Sequence, residues 1–199
     1  MSTASLAAGF ADPARQSQHV FRAMMWAMAR PGTPEPLDTI LTPPAPLTPE
    51  LAALALCLLD FETPVWLDAS LAEVSEVAEF LRFHTSARIV PTPAEAAFAL
   101  ISDPRAMPPL AAFAQGEPDY PDRSCTLLMA VSALENGPLM LEGPGIDGTR
   151  AFGATPLPED FVAQMAANRA GFPLGVDLVL AAPGAVLGLP RSVRLTEGM

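Results

Sequence analysis

Two histidines and the arginines near them in the sequence have side chains that could bind a ligand or carry a proton. His19 and Arg22 lie three residues apart, and Arg82 and His84 lie two apart. Imidazole titrates near neutral pH and can carry a proton, while guanidinium binds phosphate or phosphonate oxygens through paired hydrogen bonds. Each of these four side chains is therefore a candidate for ligand or partner binding. The alternatives are a helix-surface contact for His19 and stabilisation of a helix C-terminus by His84.

Two further arginines and one glycine-rich segment could also bind an anion. Arg30 and Arg191 have the same guanidinium chemistry, with ion pairs to the many carboxylates as the alternative. Gly143 and Gly145 flank Pro144, where backbone N–H groups could approach an anion, although an ordinary tight turn explains the same residues. No Walker or dinucleotide motif supports a nucleotide site. We assign ligand or partner binding to Gly143, Gly145 and Arg191, and no catalytic residue.

Several kinds of catalysis are excluded by the residues present. His19, Cys57, His84 and Cys125 are tens of residues apart, so the sequence predicts no metal site. Both cysteines fall in apolar segments, which is typical of buried free thiols. No Gly-x-Ser-x-Gly motif marks a hydrolase nucleophile. None of the 199 residues is lysine, so pyridoxal phosphate cannot be held as a Schiff base, and we predict no cofactor.

The charge and hydropathy patterns restrict the possible partners. A net charge of -11 repels nucleic acid. Half of the residues are hydrophobic, which exceeds the need of one core and predicts burial against a partner. Residues 51–59 form the longest apolar run, far below the roughly 20 residues that cross a bilayer. Residues 1–10 carry no basic leader, so we expect a cytoplasmic protein without membrane contact.

The first helix positions His19 and Arg22. Asp12 followed by Pro13 is a typical helix start, and Pro31-Gly32 is a typical stop. The sequence therefore predicts a helix over residues 13–30. Its predicted buried face comprises Val20, Phe21, Met24, Met25 and Met28, which recur at helical spacing.

The later helices and strands follow from similar signals. A helix that is apolar on all sides is predicted to start at Thr48-Pro49. The spacing of Ser70 and Glu73 predicts a capping box that opens one continuous helix through Leu81. Residues 34–49 and 104–121 are predicted loops, with a short strand at 37–41. Predicted strands are 65–67, 88–90, 97–101, 125–131, 139–141, 176–181 and 185–189.

Turn residues complete the predicted architecture. Asn136-Gly137 favours a tight hairpin between the strands at 125–131 and 139–141. A helix is predicted to start at Pro158 and to end on a left-handed Gly171. Pro183-Gly184 is the predicted turn between the last two strands. Together these elements predict a layered αβα domain with a mixed sheet over residues 1–199, with flexible ends at 1–11 and 196–199.

Seven segments together resemble one family, PhnH, the H subunit of the bacterial carbon-phosphorus lyase system. They are residues 18–22 (QHVFR), 27–32 (AMARPG), 63–67 (TPVWL), 81–85 (LRFHT), 141–146 (LEGPGI), 172–177 (FPLGVD) and 189–191 (LPR). They keep the family's order from about residue 15 to 195. The combination, and no single segment, makes the resemblance specific.

The resemblance implies a role in organophosphonate catabolism. Members of this family join G, I and J subunits in a core complex and can form homodimers. The pathway replaces the adenine of ATP with a phosphonate, giving a ribose 1-phosphonate 5-triphosphate, and a different iron-sulfur subunit then cleaves the carbon-phosphorus bond. The resemblance also implies a fold like that of type I pyridoxal-phosphate transferases without the cofactor.

We therefore expect a subunit of that complex. One alternative is a stand-alone enzyme that binds nucleotide or phosphonate through Arg22, Arg82 or Arg191, with His19 or His84 transferring a proton. Another is a structural homodimer whose ligand cleft has degenerated.

Overall fold

A six-stranded mixed sheet organises the chain, of which the computed structural model describes residues 6–198. The helices are α1 (Pro13–Ala29), α2 (Pro49–Leu58), α3 (Ala69–Ala72), α4 (Ser75–Thr85) and α5 (Phe161–Ala170). The strands are β1 (Glu35–Pro36), β2 (Val65–Leu67), β3 (Phe98–Ile101), β4 (Gln115–Glu117), β5 (Tyr120–Ser124), β6 (Thr126–Ala130), β7 (Ala133–Glu142), β8 (Arg150–Thr155), β9 (Asp177–Ala182), β10 (Ala185–Leu189) and β11 (Arg194–Glu197).

The main sheet combines parallel and antiparallel pairs. Its strand order is β1-β10-β9-β6-β3-β2. Strands β2, β3, β6 and β9 are parallel to one another, while β10 pairs antiparallel with β9 and β1 pairs antiparallel with β10 at one edge. This confirms the predicted α/β class with a mixed sheet. The β9–β10 hairpin also turns at Pro183 and Gly184, as predicted.

Both faces of the central strands are buried in hydrophobic cores. Along β6, Leu128 and Ala130 pack into one core, whereas Leu127 and Met129 pack into the other. Successive side chains of a strand point to opposite faces. The unbroken apolar run of this segment is therefore what a strand covered on both sides requires.

Helices α1, α2, α3 and α4 contribute to the first core. Residues Glu50 to Ala55 of α2 are all buried, as predicted for a helix apolar on all sides. The buried residues of α1 are Val20, Ala23 and Ala27. Its predicted buried face is partly wrong, because Phe21 and Met25 are 51% and 46% exposed.

Close packing of α1 on β10 explains this difference. A Cβ added to Gly188 would lie 2.6 Å from the carbonyl oxygen of Ala27, so the helix backbone lies directly against the strand. Only small side chains allow that approach. Ala23, Ala27 and Gly188 therefore occupy the contact, and the larger Phe21 and Met25 lie on the outer surface.

The second face is covered mainly by β-structure. A three-stranded antiparallel sheet, ordered β11-β7-β8, packs there together with α5. Leu141 and Phe152 of the small sheet share a core with Phe161 of α5 and Leu127 of β6. The predicted αβα layering is thus corrected, since one of its outer layers is a sheet with a single long helix.

The small sheet also corrects the predicted hairpin at Asn136-Gly137. These residues lie inside β7, at an irregularity in its pairing with β8. A Cβ added to Gly137 would lie 2.6 Å from the Cα of Gly153 in β8. Glycine is required here by the close approach of two backbones, not by a tight turn.

The predicted capping box is wrong as well. The α3 helix is capped by Asp68, whose Oδ1 accepts a hydrogen bond from the backbone N–H of Leu71 at 3.0 Å. Helix α4 starts separately at Ser75, after Val74. The continuous helix predicted from Ser70 to Leu81 is therefore two helices.

The two predicted loops each contain a strand. Within residues 104–121, two 3₁₀ turns are followed by β4, which forms a hairpin with β5. Within residues 34–49, the paired strand is Glu35–Pro36 and not residues 37–41. Of the predicted flexible ends, residues 1–5 and 199 lie outside the described residues, while Thr196 and Glu197 pair with β7.

None of the helices in the part of the chain that the structure describes is long and apolar enough to cross a membrane.

Gly171 and Gly137 give contrasting predictions. At the end of α5, Gly171 has a φ of −78°, which corrects the predicted left-handed stop, and an added Cβ would meet nothing closer than 3.5 Å. Gly171→Ala should leave stability unchanged or raise it by about 0.5 kcal/mol. Gly137→Ala should lower stability by about 1–3 kcal/mol, the cost of overpacking. Urea unfolding of both variants measures the difference, and equal losses would contradict this assignment.

Candidate functional site

His19 lies at the mouth of a surface cavity beside α1. The cavity has a volume of about 340 Å³ and is lined by Arg15, His19 and Asp38, among others. His19 and Arg15 are one helical turn apart, and both are exposed. Arg22, one turn further along α1, is also exposed but does not line the cavity. The geometry thus places His19 beside Arg15 and leaves Arg22 on the outer surface.

His84 has a structural contact at the end of α4. Its Nε2 lies 3.0 Å from the carbonyl oxygen of Ala7. The imidazole ring also packs edge-on against Phe80 and Phe83, with centroids 4.7 and 5.0 Å away. Gly9 lies directly over this ring, where a Cβ would approach Nδ1 to 2.8 Å. His84 therefore holds the N-terminal segment against α4, while Arg82 on the same helix is exposed.

Gly143 and Gly145 form a turn that packs against the end of α1. Both have positive φ values, 144° and 82°. A Cβ on Gly145 would overlap the carbonyl oxygen of Ala29 and lie 2.9 Å from Cδ of Pro31. The structure thus brings two of the sequence segments, 27–32 and 141–146, into contact. Arg30 at this junction pairs with Glu35 at 2.9 Å and stacks on Trp26.

Arg191 is fully bonded inside the protein. Its Nε and one Nη donate to the two carboxylate oxygens of Asp177, at 3.2 and 2.6 Å. The same Nη donates to the hydroxyl of Ser124, and the other Nη donates to the carbonyl oxygens of Pro121 and Pro173. These contacts engage all five guanidinium N–H groups. Arg191 therefore fixes the amino end of β9 and has no donor left for an anion.

The hydrogen bonds and ion pairs of the described residues do not join the candidate residues to one another. His19 and Arg22 lie on α1, Arg82 and His84 at the end of α4, and Arg191 at the amino ends of β6 and β9. The turn at Gly143–Gly145 lies against Ala29 and Pro31, the two residues that flank Arg30. Among residues 6–198, no group of three or more potential ligands could hold a metal ion.

A cavity that the sequence reasoning missed lies at the carboxyl ends of the parallel strands. It has a volume of about 430 Å³ and is lined by Ser102 after β3, Ser132 after β6 and Pro183 after β9, together with Glu50 at the start of α2. Ligands in open α/β sheets bind at this edge. The sequence did contain one signal for this cavity, because a polar residue follows shortly after several of the apolar strands.

A buried carboxylate connects two strand ends at this edge of the sheet. Asp68, directly after β2, is 5% exposed. Its Oδ2 accepts hydrogen bonds from the backbone N–H groups of Ser102 and Asp103, at 2.7 and 2.9 Å. The hydroxyl of Ser102 donates to the same carboxylate at 3.0 Å. Asp68 thereby ties the end of β2 to the end of β3 and fixes the orientation of Ser102.

Both cysteines are free thiols with little reactivity. Burial raises the pKa of Cys57 to about 11, partly offset by a backbone hydrogen bond from Phe21. Burial also raises the pKa of Cys125 to about 12. Because the thiolate is the nucleophile, both side chains are poor nucleophiles at neutral pH. This confirms the prediction of free thiols, of which Cys125 is buried and Cys57 is only partly buried.

A family model and one relative each match nearly the whole chain, and a second relative matches part of it. A model of the family described as bacterial phosphonate metabolism protein (PhnH) matches residues 8–196. The chain is 46% identical over 187 residues to a Rhizobium meliloti (strain 1021) protein named alpha-D-ribose 1-methylphosphonate 5-triphosphate synthase subunit PhnH, covering 94% of this chain and 93% of that protein. It is also 35% identical over 81 residues to a Stutzerimonas stutzeri protein, HtxG, described as a provisional C-P lyase subunit, covering 40% and 42% of the two chains.

Loss of Arg191 should destabilise the fold. The Arg191 and Asp177 side chains are only 13% and 21% exposed, so Arg191→Met leaves a mostly buried carboxylate unpaired. We expect stability to fall by about 3 kcal/mol, the lower end of the range for broken buried pairs. Arg191→Lys should be intermediate, because an ammonium cannot reproduce the five donors. The control, Arg105→Met, removes an exposed pair with Asp103 and should cost under about 0.5 kcal/mol. Urea unfolding that gave equal losses would contradict the structural role.

The raised thiol pKa values predict lower stability at alkaline pH. An unfolded thiol ionises near pH 8.5, whereas the folded thiols keep their protons up to about pH 11 or 12. In that window the unfolded state binds fewer protons than the folded state, so stability falls as the pH rises. Urea unfolding at pH 8 and pH 10 should show this decrease. A variant with Cys57→Ala and Cys125→Ala should show a smaller one, and an unchanged decrease would contradict the assignment.

Proposed function

Because the chain belongs to the bacterial phosphonate metabolism protein (PhnH) family, we propose that it serves as the PhnH subunit of α-D-ribose 1-methylphosphonate 5-triphosphate synthase. The observation that carries this proposal is the 46% identity to a protein of that name, over 94% of the chain. The reaction would join a phosphonate to the ribose of ATP in place of adenine. The chain would thus act in organophosphonate catabolism, in the carbon-phosphorus lyase pathway.

The contacts of the candidate residues favour a subunit over a stand-alone enzyme. An enzyme that clamps phosphate oxygens needs guanidinium donors that converge on one site. All N–H donors of the Arg191 side chain are bonded to Asp177 and to neighbouring oxygens. His84 contacts the N-terminal segment. Arg22 and Arg82 lie exposed on different helices. We propose that this subunit supports catalysis through the assembly.

We further propose that the partners are the G, I and J subunits of the complex, and that the chain can pair with a second copy of itself. Support comes from apolar side chains left on the outside of α1. Phe21, Met25 and Trp26 are each more than 40% exposed. Side chains of this kind are common at the centres of protein interfaces.

We also propose a distant relationship to the type I pyridoxal-phosphate transferases. The parallel strands β2, β3, β6 and β9 followed by an antiparallel edge strand support it. The sequence does not fit the cofactor itself, because none of its 199 residues is a lysine that could hold pyridoxal phosphate as a Schiff base.

Arg22 and Arg82 provide the test of how the subunit takes part. Both are exposed, and neither makes an ion pair with another residue in 6–198. We propose that they contact a ligand or partner subunit. In a strain that lacks the native gene, the variant with Arg22→Ala and Arg82→Ala should fold normally but reduce growth on methylphosphonate at least tenfold.

Co-purification separates the possible outcomes. Tagged wild-type protein should recover the other subunits, and its failure to do so would overturn the proposal of a subunit. Loss of recovery in the double variant would identify a partner contact, whereas full recovery with poor growth would identify a ligand contact. Arg105→Ala is the matched control, since Arg105 is exposed and already paired with Asp103. Unchanged growth and unchanged recovery in the double variant would overturn the role of these arginines.

A further inference from the structure

The cavity at the carboxyl ends of β3, β6 and β9 has the form of a small-molecule site. Its volume of about 430 Å³ lies in the range of ligand pockets. The walls are largely apolar, formed by Ala130, Val131, Ala181 and Pro183. Few polar groups interrupt them, namely Glu50, Thr48 and the two serines at positions 102 and 132. An apolar pocket with a few fixed polar groups is the usual design of a binding site.

Glu50 is the charged group of this cavity. The residue is 9% exposed, although glutamate is rarely this buried without a full set of partners. Its Oε1 accepts a hydrogen bond from the backbone N–H of Gly184 at 3.0 Å. Its Oε2 has no hydrogen-bond donor among the described residues, yet it is not sealed from solvent. One carboxylate oxygen of Glu50 is therefore free to accept a bond from a group inside the cavity.

The serine hydroxyls of the cavity are also acceptors. The hydroxyl of Ser102 donates its hydrogen to Asp68, and that of Ser132 donates its hydrogen to the carbonyl oxygen of Thr155 at 2.9 Å. A hydroxyl that has donated its hydrogen keeps its lone pairs. Both serines can therefore accept, but not donate, a further hydrogen bond without rearrangement.

The charges around the cavity disfavour an anion. Glu50 is the one ionisable side chain in its described lining, and Asp68 lies directly behind Ser102. The positive N-terminal end of α2 does little to offset this negative charge. The N–H groups of Leu51 and Ala52 are already bonded to Thr48 and Pro49 has none, which leaves only the N–H of Glu50 without a bond to a described residue in this first turn. The free hydrogen-bonding capacity of the cavity thus suits a group that donates hydrogen bonds and carries positive charge.

We propose that this cavity binds a primary ammonium group on a short aliphatic chain, with the free carboxylate oxygen of Glu50 as its counter-ion. An ammonium has three donors and no acceptor, which matches the free oxygens of Glu50, Ser102 and Ser132. The aliphatic chain would pack on Val131, Ala181 and Pro183. This site goes beyond the proposed subunit role and does not depend on it.

Three probes with a short linear aliphatic chain and different charge test the charge preference. The full chain, labelled at alanine and valine methyl groups, is titrated with n-butylammonium chloride, n-butanol and sodium butyrate, with sodium chloride to match ionic strength. We expect n-butylammonium alone to shift the methyl signals of Ala130, Val131 and Ala181 with saturation in the millimolar range. Saturating shifts with butyrate, or none with n-butylammonium, would overturn the proposal.

Glu50→Gln provides the test of the counter-ion. The variant keeps an amide oxygen that can accept from Gly184 but loses the charge, so binding of n-butylammonium should weaken at least tenfold. Glu135→Gln, on the exposed part of β7, is the matched control and should bind like the wild type. Ser132→Phe is the second variant, since this exposed position can block the cavity without altering the core. Undiminished binding in Glu50→Gln would refute the counter-ion, and undiminished binding in Ser132→Phe would refute the cavity as the site.

Discussion

Burial of the central strands on both faces is the constraint on which the rest of this structure depends. In β3, β6 and β9, successive hydrophobic residues pack alternately into the two cores. Such strands have no solvated face on which a polar side chain could do chemistry. Both faces must also be covered, by α1, α2 and α4 on one side and by the small sheet with α5 on the other. Functional groups are therefore confined to the two edges where the strands end and to the outer surface of the covering layers.

The polar groups at the two ends of the parallel strands differ in how completely they are hydrogen-bonded. At the amino ends, Arg191 bonds to Asp177, Ser124 and two carbonyl oxygens, which closes that edge with a complete set of partners. At the carboxyl ends, Asp68 joins β2 to β3, but Glu50 and two serines keep free acceptor oxygens around an open cavity. A saturated network stabilises structure, whereas free acceptors in an apolar pocket leave room for a ligand.

Local signals predicted the fold well where one residue determines the backbone. Asp12 capped α1 and Thr48 capped α2 as expected, and Pro183-Gly184 formed the last turn. Predictions failed where distant segments decide. Gly137 serves a contact with Gly153, and Phe21 lies outside because Ala27 must approach Gly188. The candidate site was missed for the same reason, since Glu50, Ser102 and Ser132 meet only through the order of the strands.

Some of the few basic residues of the chain form ion pairs within the fold, and others lie exposed on its surface. Apart from the two histidines, the basic residues are eleven arginines. Some are neutralised where they stand, as Arg30 is by Glu35 and Arg191 is by Asp177. Arg22 and Arg82 lie exposed without such a carboxylate among the described residues. In a chain of net charge -11, exposed guanidinium groups that no carboxylate of the fold neutralises are available to an acidic group outside the chain, which is the contact that we propose for them.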